Sequence, residues 1–418
     1  MHRFTMFRGV ATAAESGSGK AAQGALAGTR VIELADESGC YCGKLFADMG
    51  ADVVKVEPLG GDPARGINPR APDGNEPGLF FRCNNSGKRS VTLDLEHAGA
   101  RELFAGLVAR ADLLIETTPA GYLDQRGLGY GQQSQANPAL VACSITPHGR
   151  SGPRARWKAS ALTVEAMSGS MHVTGYAEDP PGRLAGRQAW TAAGSWAAVS
   201  SMIALWHARN TGRGQWIDIS ATECLASVAH ITGVGKYLDD GIVPRRSGPG
   251  LFASVPSGTY RCTDGLVYLM VNRPSHWKAL AAWINETTGN KEVLDPMFEG
   301  ASSARLPHRE LLDIFINEMT ASFTVDQVYR EGQRRRIAFS PVNTLADLAG
   351  DEQLAARGYF VEGEDGLRYP GAPFRHSATP WQGGGHVPAA GEHNRELLLG
   401  ELGLDAERFE RLVAEGAL

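Results

Sequence analysis

Short runs of apolar residues that alternate with helix-like segments constrain this fold more than any other feature. TRVIEL at 29–34 and DVVKVE at 52–57 each predict a buried strand, and GCYCGKLFADMG between them predicts a helix. The cycle recurs, because the amphipathic segment 96–111 precedes the apolar run DLLIET, and ALVACSIT adds a further strand. Strands that alternate with helices predict an α/β fold whose parallel sheet is covered on both faces.

The chain has 418 residues, a length that predicts two domains. A composition shift near residue 250 favours a large domain followed by a smaller one. We expect a disordered leader at 1–27, a large domain at 28–230 completed by 355–418, linkers at 231–249 and 351–354, and a small α+β domain at 250–350.

Composition excludes several functional classes. Hydrophobic residues make up 43% of the chain and the formal net charge is −5, which indicates a globular protein without the basic character that nucleic acid or an anionic membrane requires. No apolar run is long enough for a transmembrane helix. Six scattered cysteines without a CxxC pair predict free thiols and a cytoplasmic location, and no spacing predicts a metal site.

The first strand-to-helix turn is the expected ligand position, because the carboxyl ends of parallel strands form a crevice there. The turn has the sequence ADESGCYCG rather than GxGxxG, which disfavours a nicotinamide cofactor even though Glu57 ends the next strand. Cys40 and Cys42 lie at the start of the following helix, where a thiol pKa can fall, but burial is the favoured interpretation.

Several segments in order resemble the class III CoA-transferases, the family of formyl-CoA transferase, carnitine CoA-transferase and alpha-methylacyl-CoA racemase. They are KLFADMGADVVKVEPLGGDPARG, NNSGKRSVTLDL, ADLLIET before GYLDQRGLGY, NPALVACSITPHGRSGP and TGRGQWIDIS, which together cover residues 28 to about 225. The resemblance implies a Rossmann-like large domain, a small domain and an interlocked homodimer. It also implies that CoA is a substrate rather than a tightly bound cofactor.

The resemblance assigns CoA to the carboxyl edge of the large domain's sheet. The turn after the first strand would hold the pantetheine and thioester, and basic or hydroxyl side chains would hold the nucleotide. Arg126 is displaced by one residue from the family's nucleotide-binding arginine, which falls near Gln125. The implied binding residues are Asp36, Ser38, Lys88, Arg89, Thr117, Thr118 and Arg126.

The sequence departs from the family at its catalytic position. Trp190 stands where the resemblance places the aspartate that attacks the thioester, and Ser160 stands where the racemase branch has a histidine. Glu37, at the positive end of a helix, is the hypothetical replacement, and Glu165 is the weaker candidate. The alternative for Glu37 is a charge that complements the helix dipole. Among the histidines only His148 has a positional argument for acid–base work, because it closes a strand at the same sheet edge. His172 lies near the proposed thioester, and each of the two is more often a structural or surface residue.

Three functions remain open from the sequence. The first is an enzyme that transfers CoA between acyl-CoA and carboxylic acid substrates, or catalyses a related isomerisation or elimination, with a non-standard catalytic group. The second is a catalytically silent CoA-binding pseudoenzyme or partner subunit, working with an aspartate-bearing relative. The third, a nucleotide-dependent oxidoreductase, is disfavoured by the missing glycines.

Overall fold

The computed structural model describes residues 24–70, 74, 77–251 and 254–418, and for residues 229–232 it describes the backbone alone. Most of the expected leader, residues 1–23, lies outside the described residues. Residues 24–27 form a turn in which Leu26 is buried and its N–H donates to Met49 O at 2.9 Å. The packed part of the chain therefore begins before residue 28.

A parallel sheet forms the centre of the amino-terminal half. Among the described residues it has six strands in the order β3-β2-β1-β4-β5-β6. Strands β2 and β3 therefore lie on one side of β1, and β4 to β6 lie on the other. The strands are β1 (Arg30–Leu34), β2 (Asp52–Glu57), β3 (Arg89–Thr92), β4 (Leu113–Glu116), β5 (Val141–Thr146) and β6 (Trp216–Ser220).

Helices connect these strands and continue through the rest of the chain. In order they are α1 (Cys40–Asp48), α2 (Leu79–Asn85), α3 (Ala98–Val108), α4 (Tyr130–Ala136), α5 (Ala161–Met167), α6 (Ser170–Val173), α7 (Gln188–Thr211), α8 (Ala221–Asp240), α9 (Pro274–Thr288), α10 (Arg309–Thr320), α11 (Val325–Arg335), α12 (Leu345–Ala349), α13 (Glu352–Ala356) and α14 (Ala406–Ala414). Among the described helices, none combines the length and apolarity needed to cross a membrane.

The sheet buries a separate apolar layer on each face, as a parallel sheet requires. On one face α1 and α7 pack against side chains such as Val31 and Ile145. On the other face α3 packs with the carboxyl-terminal segment, whose Leu397 and Phe409 join Ile32 in the core. The end of the chain thus completes the amino-terminal core, and the α/β, Rossmann-like class predicted from the sequence is confirmed.

Residues beyond 250 have a core of their own. Strands β7 (Ser257–Arg261), β8 (Leu266–Met270) and β9 (Ala338–Pro341) form an antiparallel sheet, on which α9 to α11 pack. A separate hairpin follows in β10 (Phe360–Glu362) and β11 (Arg368–Pro370). The exact domain bounds stay a prediction.

Candidate active site

The strand order places a topological switch point between β1 and β4, where α/β sheets characteristically bind ligands. The turn after β1 and the residue after β4 meet at this point. The backbone N–H of Asp36 donates to Thr117 Oγ1 at 3.0 Å, and Asp36 Oδ1 accepts from Ser38 N at 2.9 Å. Gly39 is required here, since a Cβ would lie 2.5 Å from Thr117 Cγ2. The predicted turn residues therefore do lie together at the carboxyl edge.

Two buried lysines bind the backbone of this turn from the protein interior. Lys55 Nζ donates to Ala35 O at 2.6 Å, and Lys88 Nζ donates to Cys40 O at 2.9 Å, so the two ends of the turn are each fixed by an ammonium group. Both lysines also contact Glu33. A Cβ on Gly43 would lie 1.6 Å from Glu33 Oε2, so this helix position has to be glycine for the pair to fit. The buried charges of Lys55, Lys88 and Glu33 therefore stabilise the conformation of the turn.

Glu37 lines a cavity of about 420 Å³ above the turn. The cavity lies between the first turn of α1, the loop at 67–69, α2 and the start of α7. Arg187 forms an ion pair with Glu37 and lies 5.2 Å from the centroid of the Phe80 ring. The cavity therefore brings one carboxylate and one guanidinium together at the switch point.

Partial burial is the main cause that raises the pKa of Glu37 above its ordinary value of 4.5. Arg187 opposes that shift, while the negative charges of Asp36 and Asp62 add to it. A carboxyl group with a raised pKa binds a proton more readily when another anion approaches. The charged form of Glu37 is therefore less favourable in this cavity than it would be in water.

Trp190 forms part of the cavity wall and is 4% exposed. Its indole N–H makes no hydrogen bond of ordinary geometry to any described residue, although it lies near enough to favour the charged form of Glu37 and so lower its pKa. Ser160, at the position that the resemblance gives to the racemase histidine, caps α5 by accepting from Thr163 N. In the structure, Trp190 thus lies in the cavity wall with its indole N–H close to Glu37, and Ser160 caps a helix.

A second cavity, of about 310 Å³, lies at the carboxyl ends of β1 to β4. Thr118 lines it, and its N–H and hydroxyl both donate to Glu116 Oε2, at 2.7 and 2.5 Å. Tyr122 lies on its wall beneath the guanidinium of Arg126, which is 3.6 Å from the ring centroid. The structure thus places Thr118 and Arg126 close to the edge where the resemblance puts the nucleotide.

The structure corrects the roles predicted for Lys88 and Arg89. The Lys88 side chain is fully buried against Glu33, so it presents no charge to a phosphate. Arg89 opens β3 at the amino edge of the sheet and donates to Asp52 at 2.9 and 2.6 Å, on the side opposite the switch point. The reasons differ: Arg89 lies at the start of β3, a strand length from the carboxyl ends, whereas the Lys88 ammonium group reaches the carboxyl edge but is buried beneath the turn after β1.

Glu165 is also placed differently from the hypothesis. It is buried, its carboxylate accepts from Leu184 N at 3.2 Å, and it is not among the residues that line the Glu37 cavity.

Two further candidate ligands have protein partners. Arg126 forms an ion pair with Glu96, which partly neutralises the guanidinium charge. Glu57, considered as a ribose ligand, instead binds Arg65 and Ser90, at 2.6 and 2.5 Å.

Neither candidate thiol is activated, and neither candidate histidine lines the Glu37 cavity. Burial raises the pKa of Cys40 to about 12 and also raises that of Cys42, so neither thiol is activated. His148 Nδ1 lies 3.0 Å from Thr222 Oγ1, and burial lowers the pKa of the ring. His172 is exposed and does not line the Glu37 cavity. No cluster able to hold a metal is found in the part of the chain that the structure describes.

The family model for CoA-transferase family III matches residues 26–394. The chain belongs to CoA-transferase family III. It is 35% identical over 93% of its length to the succinyl-CoA:(R)-benzylsuccinate CoA-transferase subunit BbsE of Thauera aromatica, 97% of which is covered. It is 32% identical over 91% of its length to the succinyl-CoA:mesaconate CoA-transferase of Haloarcula marismortui, 97% of which is covered.

Solved structures agree with this assignment. A CAIB/BAIF family protein from Brucella suis superposes with a TM-score of 0.81 at 30% identity, over 91% of this chain and all of that one. Membership of family III confirms the resemblance seen in the sequence. The chain is a CoA-transferase, of a class that uses CoA thioesters as substrates.

Sequence reasoning missed Arg187 and Lys55 within this family III site. Arg187 lies three residues before Trp190, a spacing that places both at the same turn of a helix. This spacing could have indicated that Arg187 belongs to the same site as Trp190. Lys55 interrupts the apolar strand DVVKVE, just as Glu33 interrupts VIEL. A charge of each sign inside adjacent buried strands was the available signal for a buried ion pair.

Proposed function

We propose that this chain transfers CoA between an acyl-CoA and a carboxylic acid as one subunit of a two-subunit enzyme, whose aspartate-bearing family III partner supplies the nucleophile. The observation that carries the proposal is Trp190. It occupies the position implied for the catalytic aspartate, and its side chain is buried in the wall of the cavity. An indole cannot carry an acyl group as an anhydride, so the chain needs a carboxylate from elsewhere.

The chemistry sets the requirement. The partner's carboxylate attacks the thioester carbonyl, the C–S bond breaks, and CoA leaves as the thiolate while a mixed anhydride forms. The thiolate then attacks the aspartyl carbonyl of this anhydride, which releases the donor acid and leaves an aspartyl-CoA thioester. The carboxylate of the incoming acid attacks that thioester and expels the thiolate, so that a second mixed anhydride forms. The thiolate finally attacks the acyl carbonyl of the incoming acid, which yields the new acyl-CoA and regenerates the aspartate carboxylate. No redox partner enters this sequence. Every covalent step therefore requires a carboxylate nucleophile, which position 190 does not provide.

Two relatives with high coverage support a subunit role. BbsE of Thauera aromatica is named as a subunit, and so is the alpha subunit of the succinyl-CoA–L-malate CoA-transferase of Chloroflexus aurantiacus, which is 31% identical over 93% of this chain and 91% of its own length. Both names specify succinyl-CoA. We therefore propose succinyl-CoA or a similar acyl-CoA as the donor for this chain.

An apolar surface on α7 and α8 supports association with a second chain. Trp196, Ile203 and Trp206 project from α7 with 44%, 65% and 72% exposure, and an apolar groove of about 790 Å³ runs between the two helices. Large contiguous apolar patches on a protein surface mark association sites. An aspartate-bearing family III chain is the partner that we propose for this surface.

The test is an assay of CoA transfer from succinyl-CoA to a panel of carboxylic acids. The purified chain is assayed alone and after reconstitution with an aspartate-bearing family III chain that copurifies with it from its host. We expect transfer only in the reconstituted sample, and its loss when the partner's aspartate is changed to alanine. Full transfer by this chain alone would exclude the partner requirement.

A second candidate is an autonomous homodimer in which Glu37 replaces the missing aspartate. The observation in its favour is that Glu37 is a carboxylate in the same cavity wall as Trp190. The ion pair with Arg187 counts against it, because a guanidinium partner reduces the nucleophilicity of a carboxylate. Transfer by the chain alone that disappears in Glu37→Gln would favour this candidate.

We also propose a cytoplasmic location. The six cysteines are all free thiols in the structure, and five of them are buried. Thiols persist in a reducing compartment, where CoA thioester metabolism also supplies the substrate. Fractionation of host cells with an antibody to the chain tests this, and recovery in a secreted fraction would exclude it.

A further inference from the structure

The cavity beside Glu37 contains three donors that point to an anionic ligand. Arg187 immediately precedes α7, so the positive end of a 24-residue helix lies at the cavity together with its guanidinium. The indole N–H of Trp190, on the same turn, is buried and lies near the Glu37 carboxylate, but it makes no hydrogen bond of ordinary geometry to any described residue. A buried unpaired donor is costly unless a ligand or water satisfies it.

The guanidinium of Arg187 has an unused edge. Its Nη1 donates to Glu37 Oε2, and no hydrogen bond from Nε or Nη2 to any described residue is found. These two nitrogens form the fork that binds a carboxylate in bidentate geometry. The Phe80 ring, 5.2 Å from the guanidinium carbon, limits the directions from which water can reach the group.

We propose that Arg187, assisted by the indole N–H of Trp190 and the amino end of α7, binds the second carboxylate of a dicarboxylic acyl group. Arg187 is then a specificity-determining residue that selects acyl chains ending in a carboxylate over chains ending in a methyl group. This inference rests on the proposed function, because it assumes that the acyl end of a CoA thioester reaches this cavity.

The cavity has room for such a group. Its volume of about 420 Å³ exceeds that of a four-carbon diacid, and its floor includes the switch-point turn that carries Glu37. Apolar side chains such as Ile67 and Leu79 also line the cavity and suit the methylene chain. The cavity therefore combines a guanidinium with apolar surface, the two features that an acyl chain with a terminal carboxylate requires.

The test measures binding, not turnover, with two stable thioethers of CoA. S-(3-carboxypropyl)-CoA carries a terminal carboxylate, and S-butyl-CoA carries a methyl group in its place. Affinities of both, and of free CoA, are measured by calorimetry on the purified full chain. The variants are Arg187→Met and Arg187→Lys, and the matched control is Arg183→Met, since Arg183 is an exposed arginine on the same loop that does not line the cavity.

We expect the wild-type chain to bind the carboxylate thioether about 10- to 100-fold more tightly than the butyl thioether, the range of a charge-assisted bidentate contact. Arg187→Met should abolish this preference, Arg187→Lys should retain part of it because the charge stays but the fork is lost, and Arg183→Met should keep it in full. Affinity for S-butyl-CoA should not change.

Equal affinity for the two thioethers in the wild-type chain would overturn the assignment while leaving CoA binding, and so the proposed function, intact. A preference that persists in Arg187→Met and in Arg187→Lys would overturn it as well, since another group would then bind the carboxylate. Failure of all three ligands to bind would instead contradict the proposed function itself.

Discussion

Lys88 Nζ lies 2.7 Å from Glu33 Oε2, and both side chains are completely buried. The contact continues through Glu33 Oε1 to Lys55 Nζ at 3.2 Å, and from Lys55 to Asp62 Oδ2 at 2.6 Å. Two positive and two negative groups therefore alternate in the interior, where each satisfies its neighbours. This row of charges supports the turn that carries Glu37, because its lysines bind the backbone at both ends of that turn.

Replacing Lys88 by methionine should destabilise the protein by about 3–5 kcal/mol, because it leaves the Glu33 carboxylate buried without one partner. The free energy of unfolding from urea titration measures this. Lys158→Met is the matched control, since Lys158 is exposed, and it should change stability by less than about 0.5 kcal/mol. Equal effects of the two substitutions would show that the buried pair does not support the fold.

Acid should remove a contribution that Glu57 makes to stability. Burial alone would raise the pKa of Glu57, but hydrogen bonds from Arg65, Ser90 and the Asp62 N–H outweigh it and lower the pKa below the ordinary 4.5. The unfolded chain then binds more protons, so the contribution is complete above 4.5 and is lost as the pH falls through the lower, folded value.

The difference in unfolding free energy between wild type and Glu57→Gln should therefore shrink from pH 6 towards pH 3. Urea titrations at several pH values measure it. The exposed residue Glu178 provides the control, because Glu178→Gln should follow the wild-type curve throughout. A constant difference for Glu57→Gln across this range would contradict the assigned direction of the pKa shift.

The Cys40 thiol should resist alkylation in the folded protein. Burial raises its pKa from 9.0 to about 12, so the thiolate fraction at pH 8 falls by roughly 10³-fold, and the side chain has no exposed surface. Iodoacetamide labelling followed by peptide mapping measures the rate, with urea-unfolded protein as the reference. Rapid labelling of Cys40 in the native protein would mean that the start of α1 opens readily.

Glu37→Gln should increase the affinity for S-(3-carboxypropyl)-CoA by about 3- to 10-fold, because it removes a like charge beside the bound carboxylate and releases Nη1 of Arg187. The affinity for S-butyl-CoA should stay the same. Calorimetry on the full chain measures both. A parallel change for the two ligands would indicate that the substitution altered the cavity as a whole and not its charge.

Much of the fold follows from local pattern. The apolar runs ending at Leu34, Glu57 and Glu116 specify buried strands, and their alternation with helices specifies a parallel sheet with the ligand edge at the carboxyl ends. The placement of Asp36 and Thr117 at one edge follows from the same logic and is seen in the structure. From the sequence alone, the family resemblance also predicts that Trp190 stands at the position of the family's nucleophile.

The roles of the basic residues depended on tertiary structure. Lys88 and Arg89 are adjacent in the chain, yet one is buried beneath the switch point and the other pairs with Asp52 at the opposite edge. Sequence spacing does not state which partner a charged side chain meets, because the partner lies on another strand, 55 residues from Lys88 and 37 residues from Arg89. By itself the sequence determined the layers of the fold and the position of its ligand edge, through the periodicity of apolar residues. Only the folded chain decided that Arg187 and Glu37, 150 positions apart, share one cavity, since long-range packing sets which charges meet.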